Sequence, residues 1–144
     1  VIELMLGEGK MIGKMNKNVM DAVLETLPVE FSVLDEDDRV LAWNKHETRI
    51  FRRPESVVGR DVRKCHPKKS LSKVEQILTE MKAGKRDKAI FWIDLPLGDN
   101  KEKHKVLIQY FALRDKNGKY LGCLEVTQDI TDIQKIEGEK RLLD

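Results

Sequence analysis

Two short runs of alternating apolar residues, separated by an acidic stretch, lie in the first third of the chain. The runs cover residues 30–34 and 40–43, and Asp35-Glu-Asp-Asp38 lies between them. Asp accepts turn dihedral angles and bonds to nearby backbone N–H groups, so this order predicts a β-hairpin. Side chains alternate along a strand, so Phe31 and Val33 share one face, which we expect to line the interior.

Apolar residues recur at helical spacing in two other segments. The first covers residues 14–27 and ends at Pro28, which cannot continue a helix. The second opens with the capping-box pattern Ser72-Lys-Val-Glu75 and ends at Ala83-Gly84. Each segment predicts an amphipathic helix, and the apolar stripes are Met15, Val19, Met20 and Val23 in the first and Val74, Ile77, Leu78 and Met81 in the second.

Two shorter helices are predicted between the hairpin and the long helix. Asn44 can cap a helix, and a Glu stands three positions later, so we expect a helix from Asn44 that ends near Phe51. Pro54 stands where proline favours a helix start, and Gly59 can take the left-handed conformation that ends one. These features predict a short second helix over residues 54–58.

Three further alternating runs follow the long helix and predict three strands. They cover residues 89–95, 106–113 and 124–126, with turn residues between them. Together with the first hairpin they predict an α+β fold, a five-stranded antiparallel sheet with helices on one face. The other face would also be apolar, so we expect the N-terminal helix of this chain or of a partner to cover it. Its large side chains are Ile90, Trp92, Leu107 and Phe111.

Composition and charge narrow the classes of function. The chain has 144 residues, enough for one domain with appendages, and its 27 Lys and Arg residues against 25 Asp and Glu give a net charge of +2. This small charge predicts no nucleic-acid partner. Two cysteines cannot form a disulfide framework, and no apolar run is long enough for a membrane helix, so we expect a cytoplasmic protein without a membrane partner. Since the sequence starts with Val1, we expect a segment of a longer protein with a neighbouring domain.

The order of features over residues 34–62 resembles the opening of a PAS domain. It runs strand, acidic turn, strand, Asn44 and helix, followed by Pro54-Glu55 and Gly59-Arg60. Asp129-Ile-Thr131 is similar to the motif that closes a PAS domain. The resemblance implies a PAS fold and a sensory or dimerisation role rather than an enzyme.

A narrower resemblance points to one subgroup of this family. The segments 59–70, 91–93 and 121–131 are similar to PAS domains of bacterial and archaeal proteins that often carry a hemerythrin-like helical domain. We therefore expect three parts: an N-terminal linker with an amphipathic helix over residues 1–28, a PAS domain over residues 29–132, and a C-terminal signalling helix over residues 133–144.

The predicted C-terminal helix has a coiled-coil pattern. The residues Ile133, Ile136, Lys140 and Leu143 recur at alternating spacings of three and four, with one polar residue among them, which is typical of the beginning of a two-stranded coiled coil. The alternative is a single amphipathic tail, because Gly138 and the short length make a helix marginal on its own.

One pair of residues with ligand chemistry, Cys65-His66, is expected at the edge of the interior. Imidazole and thiolate are both axial ligands of haem iron, so haem is the leading cofactor candidate, and His66 would be a metal ligand only if haem is bound. The alternative is that Cys65 is a small buried apolar residue and His66 fixes a loop through local hydrogen bonds. The other candidate ligand-binding residues line the interior: Phe31, Val33, Phe51, Leu78, Phe91, Ile93, Ile108 and Tyr110.

Other chemistries have weaker support in the sequence. A metal site would have to combine His46, His104 and Cys123 with Cys65-His66, but zinc sites usually show two close pairs of ligands. A flavin-binding PAS domain has Asn directly before its cysteine, where this chain has Lys64. No nucleophile with a His-Asp pair is readable, so we predict no catalytic residue.

Two functions from different classes fit these features. The first is a sensory or regulatory module that binds a small molecule or a partner and relays a conformational signal to a neighbouring domain. The second is a protein–protein dimerisation module whose interior is filled by its own side chains. In both cases we expect a homodimer through the N-terminal helix and the outer sheet face, because each offers an apolar surface that the other could cover.

Overall fold

A five-stranded antiparallel sheet with one long helix against it forms the centre of the protein. The protein is described from a computed structural model, which describes residues 2–3 and 11–143. The helices are α1 (Lys17–Thr26) and α2 (Lys68–Lys82), and 3-10 turns lie at Glu55–Val57, Val62–Cys65 and Ile133–Lys135. The strands are β1 (Ile2–Glu3), β2 (Lys14–Met15), β3 (Glu30–Asp35), β4 (Val40–Trp43), β5 (Lys88–Leu97), β6 (Glu102–Arg114) and β7 (Tyr120–Asp129).

The strand order in the large sheet is β4-β3-β7-β6-β5, and all neighbouring strands are antiparallel. We call the sheet face that packs against α2 the inner face and the opposite face the outer face. Val74, Leu78 and Met81 of α2 are buried, and they belong to one core with inner-face residues such as Val106. The predicted α+β fold with five antiparallel strands is confirmed.

The acidic turn between β3 and β4 has the predicted form. The Asp35 carboxylate accepts hydrogen bonds from the backbone N–H groups of Asp37 and Arg39, both at 2.9 Å. Asp38 has a φ of 63°, in the left-handed region that Asp tolerates better than most residues. The turn chemistry of the acidic residues therefore produces the hairpin.

The two faces of β3 are the reverse of our expectation: the residues that we expected on the outer face lie on the inner face. Phe31 and Val33 lie on the outer face, so the prediction that they line the interior is wrong. Alternation shows which residues share a face but not which face is inside. Ser32 is accommodated inside because the buried Arg49 guanidinium donates a hydrogen bond to its hydroxyl at 3.0 Å. The inner residues of the strand are Glu30, Ser32 and Leu34.

The helix predicted to start at Asn44 is wrong, and a series of turns replaces it. Lys45 has a φ of 54°, which a right-handed helix does not allow. The Asn44 side chain accepts a hydrogen bond from the Phe31 N–H at 2.7 Å and donates to the carbonyls of Leu24 and Val29 at 2.7 and 3.1 Å. Asn44 therefore joins the end of α1 to β3 instead of capping a helix.

Both later helical segments form, although α2 starts earlier than predicted. The short segment is the 3-10 turn Glu55–Val57, and Gly59 follows with a φ of 83°, as expected. α2 begins at Lys68, so the predicted capping box at Ser72 lies inside the helix. Pro67 precedes the first helical residue, and its fixed φ suits this entry. In the described part of the chain, no helix has the length and apolar character needed to cross a membrane.

The two terminal segments differ from each other. α1 forms as predicted, and Asn16 Oδ1 caps it by accepting a hydrogen bond from the Val19 N–H at 2.9 Å. The predicted helix over residues 133–144 is wrong, because its described part contains only the 3-10 turn Ile133–Lys135. Gly138 has a φ of 63°, and the apolar side chains nearby are exposed, so little packing offsets the entropy cost of forming a helix.

The outer face of the sheet is apolar and open to solvent. Cross-strand pairs place Trp92 beside Leu107 and Phe111 beside Leu124. Trp92 is 62% exposed, and α1 buries none of its residues against the described chain. The apolar character of this face is therefore confirmed, while α1 of the same chain does not cover it. Its apolar residues are Phe31, Val33, Ile90, Trp92, Leu107, Phe111, Leu124 and Val126.

Candidate functional site

A cavity of about 1180 Å³ lies between the inner face of the sheet and the helical layer. Phe91, Ile108 and Tyr110 form its sheet wall, and Val74 and Ile77 of α2 form part of the opposite wall. The rings of Phe91 and Tyr110 meet edge to face with centroids 5.4 Å apart, a favourable geometry that fixes the shape of this wall. The cavity thus offers an apolar surface of the size that small-molecule sites use.

Most of the residues predicted to line the interior do line this cavity. Phe31 and Val33 do not, because they face the other side of the sheet. Leu78 is 1% exposed and packs in the core beside the cavity. The predicted residues in the cavity wall are Phe51, Cys65, His66, Phe91, Ile93, Ile108 and Tyr110.

An ion pair between Arg53 and Glu125 lies in the cavity wall. Arg53 Nη2 is 3.3 Å from Glu125 Oε2, and the two side chains are only 14% and 8% exposed. Burial raises the pKa of Glu125, and the positive charge of Arg53 opposes this shift. Arg53 Nη1 is buried and has no hydrogen-bond partner among the described residues. An unpaired buried donor of this kind costs about 1–3 kcal/mol of stability.

A second buried ion pair, between Arg49 and Glu30, supports the adjacent wall. These side chains are 3% and 5% exposed. The Arg49 guanidinium donates four hydrogen bonds, to the Ser32 hydroxyl and the backbone carbonyls of residues 31, 44 and 51, and its Nη2 lies 3.3 Å from the Glu30 carboxylate. Every nitrogen of the Arg49 guanidinium therefore has a partner within the protein. Its role is to hold β3 and the following turns together.

Cys65 and His66 lie in the cavity wall at the end of the 3-10 turn Val62–Cys65. His66 Nδ1 is 3.1 Å from the carbonyl oxygen of Val62. A carbonyl only accepts, so Nδ1 carries the proton and Nε2 keeps the lone pair that binds metals. Burial raises the pKa of the Cys65 thiol, which therefore stays protonated at neutral pH. Of the two residues, His66 is therefore the one with a ring nitrogen that could bind a metal ion.

The other residues considered for a metal site lie away from the cavity. His46 Nδ1 accepts a hydrogen bond from Trp43 Nε1 at 3.0 Å, and His104 Nδ1 is 2.6 Å from the Asp129 carboxylate. Burial raises the pKa of Cys123 to about 12. Across residues 11–143, no three His, Cys, Asp or Glu side chains form a group that could hold a metal ion.

The charge around the cavity is predominantly positive. Its described lining contains eight Lys and Arg residues and one carboxylate, Glu125. Arg49 and Arg53 are in the buried ion pairs, and the other six cations lie closer to solvent. Such an arrangement raises the local concentration of anions. The six cations are Arg52, Arg60, Lys64, Lys69, Lys73 and Arg86.

Comparison with known proteins assigns the fold to a family. A family model described as a PAS domain matches residues 20–131, more than half of the chain. The chain belongs to the PAS domain family. No curated protein matches the sequence.

Solved structures show the same PAS fold. The C-terminal domain of a Streptococcus mutans protein is 29% identical, with a TM-score of 0.75 and coverage of 94% of this chain and 98% of that chain. The PAS domain of Bordetella pertussis BvgS is 18% identical, with a TM-score of 0.58 and coverage of 79% and 85%. VqmA of Vibrio cholerae, solved bound to DPO, is 18% identical, with a TM-score of 0.59 and coverage of 81% and 59%. PAS domains are typically sensory rather than catalytic.

Sequence reasoning missed the two charged residues in the wall of this PAS cavity. Glu125 lies between Leu124 and Val126, and alternation along β7 would have placed it inside once the face of β3 was known. Arg53 follows Arg52 in a loop, and no periodic pattern distinguishes the buried arginine from the exposed one. The pair is visible only when the sheet and the loop are assembled.

Proposed function

We propose that this PAS domain is a sensory or regulatory module that binds a small molecule in its cavity and relays the change to a neighbouring domain. The observation that carries the proposal is the cavity of about 1180 Å³ with an unpaired Arg53 donor in its wall. A domain that only dimerises gains nothing from an open interior of this size, whereas a ligand would fill it and pair the donor. The binding of DPO by VqmA, which shares the fold, supports the proposal.

The contacts around the cavity suggest how ligand binding would affect the β3–β4 turn and the end of β7. α2 forms one wall, and its Lys82 bonds to Asp38 in the β3–β4 turn at 2.6 Å. At the end of β7, Asp129 accepts hydrogen bonds from the Thr131 hydroxyl and N–H at 2.6 and 3.0 Å. A ligand that moves α2 or β7 therefore acts on both ends of the sheet. We propose that residues 130–135 carry this movement to the neighbouring domain.

Haem is the cofactor candidate that the sequence suggested, and the cavity residues are compatible with it. His66 Nε2 would hold the haem iron, and the cations near solvent would pair with the two haem propionates. Haem would supply an iron that binds diatomic gases or changes redox state. The protonated Cys65 thiol would contribute packing rather than a second ligand.

The purified protein gives the direct test. Native mass spectrometry should show a non-covalent mass that is lost on denaturation. If the mass is haem, the absorption spectrum has a Soret band that disappears in His66→Ala and remains in the control His46→Ala, which changes an exposed histidine outside the cavity. A protein without bound mass and without a band would contradict the ligand-binding proposal.

The alternative function is a dimerisation module that works without a ligand. The open outer face of the sheet favours an assembly role, because an exposed apolar surface of this kind marks an association site. We propose a homodimer in which α1 of each protomer covers the outer face of the sheet. This homodimer is compatible with both functions. Native mass spectrometry of a bound ligand therefore distinguishes the sensory module from the dimerisation module, and the oligomeric state does not.

The neighbouring domain and the cellular compartment are also proposals. The motif resemblance suggests a hemerythrin-like helical domain as the neighbour in the full-length protein. Two unpaired cysteines, one of them fully buried, are compatible with a reducing cytoplasm.

A further inference from the structure

The two buried arginines of the cavity region differ in how their donors are used. Every guanidinium nitrogen of Arg49 has a partner within the protein, as described above. Arg53 has one partner, the Glu125 carboxylate, and its Nη1 is buried without an acceptor in the described chain. Arg53 therefore keeps an unused N–H donor in the cavity wall that could bind an oxygen atom from outside the protein.

The charge near Arg53 limits the charge of the group that it can accept. Glu125 already contributes one buried carboxylate, and His66 also lies in the cavity wall. A dianionic phosphate would meet the Glu125 charge at short range in a region of low polarity. A single carboxylate adds only one negative charge beside Glu125, so it can pair with the guanidinium at lower cost.

The remaining walls define the rest of the ligand. Phe91, Ile93, Ile108 and Tyr110 form a continuous apolar strip along β5 and β6, since Phe91 pairs with Ile108 and Ala89 pairs with Tyr110. An uncharged, apolar body would remove this strip from water, which favours its binding.

We propose that the ligand of this cavity is a small apolar molecule with one carboxylate, and that Arg53 binds the carboxylate while the β5–β6 strip holds the apolar body. This inference rests on the proposed function, since it names the chemical class of the cavity ligand. Glu125 then competes with the ligand for Arg53, so the Arg53–Glu125 ion pair lowers the affinity of the cavity for the ligand.

Calorimetric titration with two probes of equal chain length tests the proposal. Octanoate carries the carboxylate, and octanamide presents the same apolar chain without charge. The wild-type protein should bind octanoate about tenfold more tightly than octanamide, the value of one charge-assisted hydrogen bond. Arg53→Gln should lose this preference and leave octanamide binding unchanged.

Two further variants separate ligand binding from folding. Arg141→Gln removes one charge from an exposed arginine far from the cavity and should keep the octanoate preference. Glu125→Gln removes the competing carboxylate and should tighten octanoate binding by about threefold or more. Misfolding cannot make a complex tighter. The Glu125→Gln result therefore still tests the proposal if Arg53→Gln is too unstable to measure.

The outcomes distinguish this inference from the proposed function. If octanamide binds as tightly as octanoate, or if Glu125→Gln leaves octanoate binding unchanged, the cavity binds ligands but the carboxylate assignment is wrong. If neither probe binds and no mass accompanies the native protein, both the assignment and the proposed function are overturned.

Discussion

At the scale of single residues, Glu125 is a buried acid whose charge the fold disfavours. Burial raises its pKa above the ordinary value of 4.5, even though Arg53 lies beside it. A carboxyl with a raised folded pKa binds its proton more tightly in the folded protein than in the unfolded chain. Its contribution to stability is therefore complete below the unfolded pKa and is lost as the pH rises through the folded pKa.

We expect Glu125→Gln to flatten the dependence of stability on pH. The wild-type protein should lose about 1.4 kcal/mol of unfolding free energy for each pH unit between the unfolded and the folded pKa of Glu125. The variant lacks this loss because its amide does not titrate. Urea unfolding of both proteins at several pH values above 4.5 measures the difference. Glu36→Gln, which changes an exposed acid in the β3–β4 turn, should keep the wild-type slope.

Individual residues also show where sequence reasoning stops. Alternation grouped Phe91 with Ile93, and both residues line the cavity as predicted. The same reasoning failed for Phe31. The inner face of β3 includes the polar Ser32, which is accommodated because Arg49 of a later loop bonds to it. Long-range polar pairing of this kind leaves no periodic signal.

At the scale of elements, one carboxylate connects three segments of the fold. Asp38 is 2% exposed and accepts hydrogen bonds from Arg63 Nη2 at 2.9 Å and from Lys82 Nζ at 2.6 Å. Arg63 lies in the 3-10 turn before α2 and also pairs with Glu75 of that helix. The β3–β4 turn is therefore tied to both ends of the helical wall of the cavity.

Asp38→Asn should destabilise the protein by about 1–2 kcal/mol, since it removes a buried anion that two partly exposed cations share. Asn keeps the left-handed backbone conformation, so the change tests the charge and not the turn. Chemical unfolding measures the loss. The control Asp37→Asn alters an exposed acid in the same turn and should stay within about 0.5 kcal/mol of the wild type. Equal stability of the two variants would contradict the role of Asp38.

The elements themselves were largely predictable, and the exceptions have local causes. All five sheet strands, α1 and α2 follow from apolar spacing, because period and length are strong signals. The capping-box patterns at Asn44 and Ser72 were misleading, since Asn44 bonds to α1 and β3 and Pro67 starts α2 earlier. A cap motif satisfies backbone donors wherever they occur, so it does not prove that a helix begins there.

At the scale of the whole molecule, two apolar surfaces are left without a cover in the described chain. Val19 and Val23 of α1 are 47% and 40% exposed, and Trp92 on the outer face is 62% exposed. A helix that buries nothing is marginal by itself, so its presence suggests a partner surface. The proposed homodimer would bury both surfaces at once.

Sedimentation at micromolar concentration should show a dimer for the wild-type protein. Val19→Asp and Trp92→Lys each place a charge in the proposed interface, and each should weaken association by about tenfold or more because a desolvated charge has no partner there. Asn18→Asp adds the same charge as Val19→Asp on an exposed position of α1 and should remain dimeric. A wild-type monomer, or a Val19→Asp dimer of unchanged affinity, would exclude this interface.

The strand order has a consequence for synthesis of the protein. The central strands β3 and β7 pair along their whole length, Glu30 with Thr127 and Asp35 with Gly122, although nearly the entire domain separates them in the chain. Closing so long a loop is entropically expensive before its contacts form, so folding is slow for its size. During translation the β3–β4 hairpin must wait, with one edge unpaired, until the ribosome has released β7. The nascent hairpin is thus exposed to aggregation until β7 is available to pair with it.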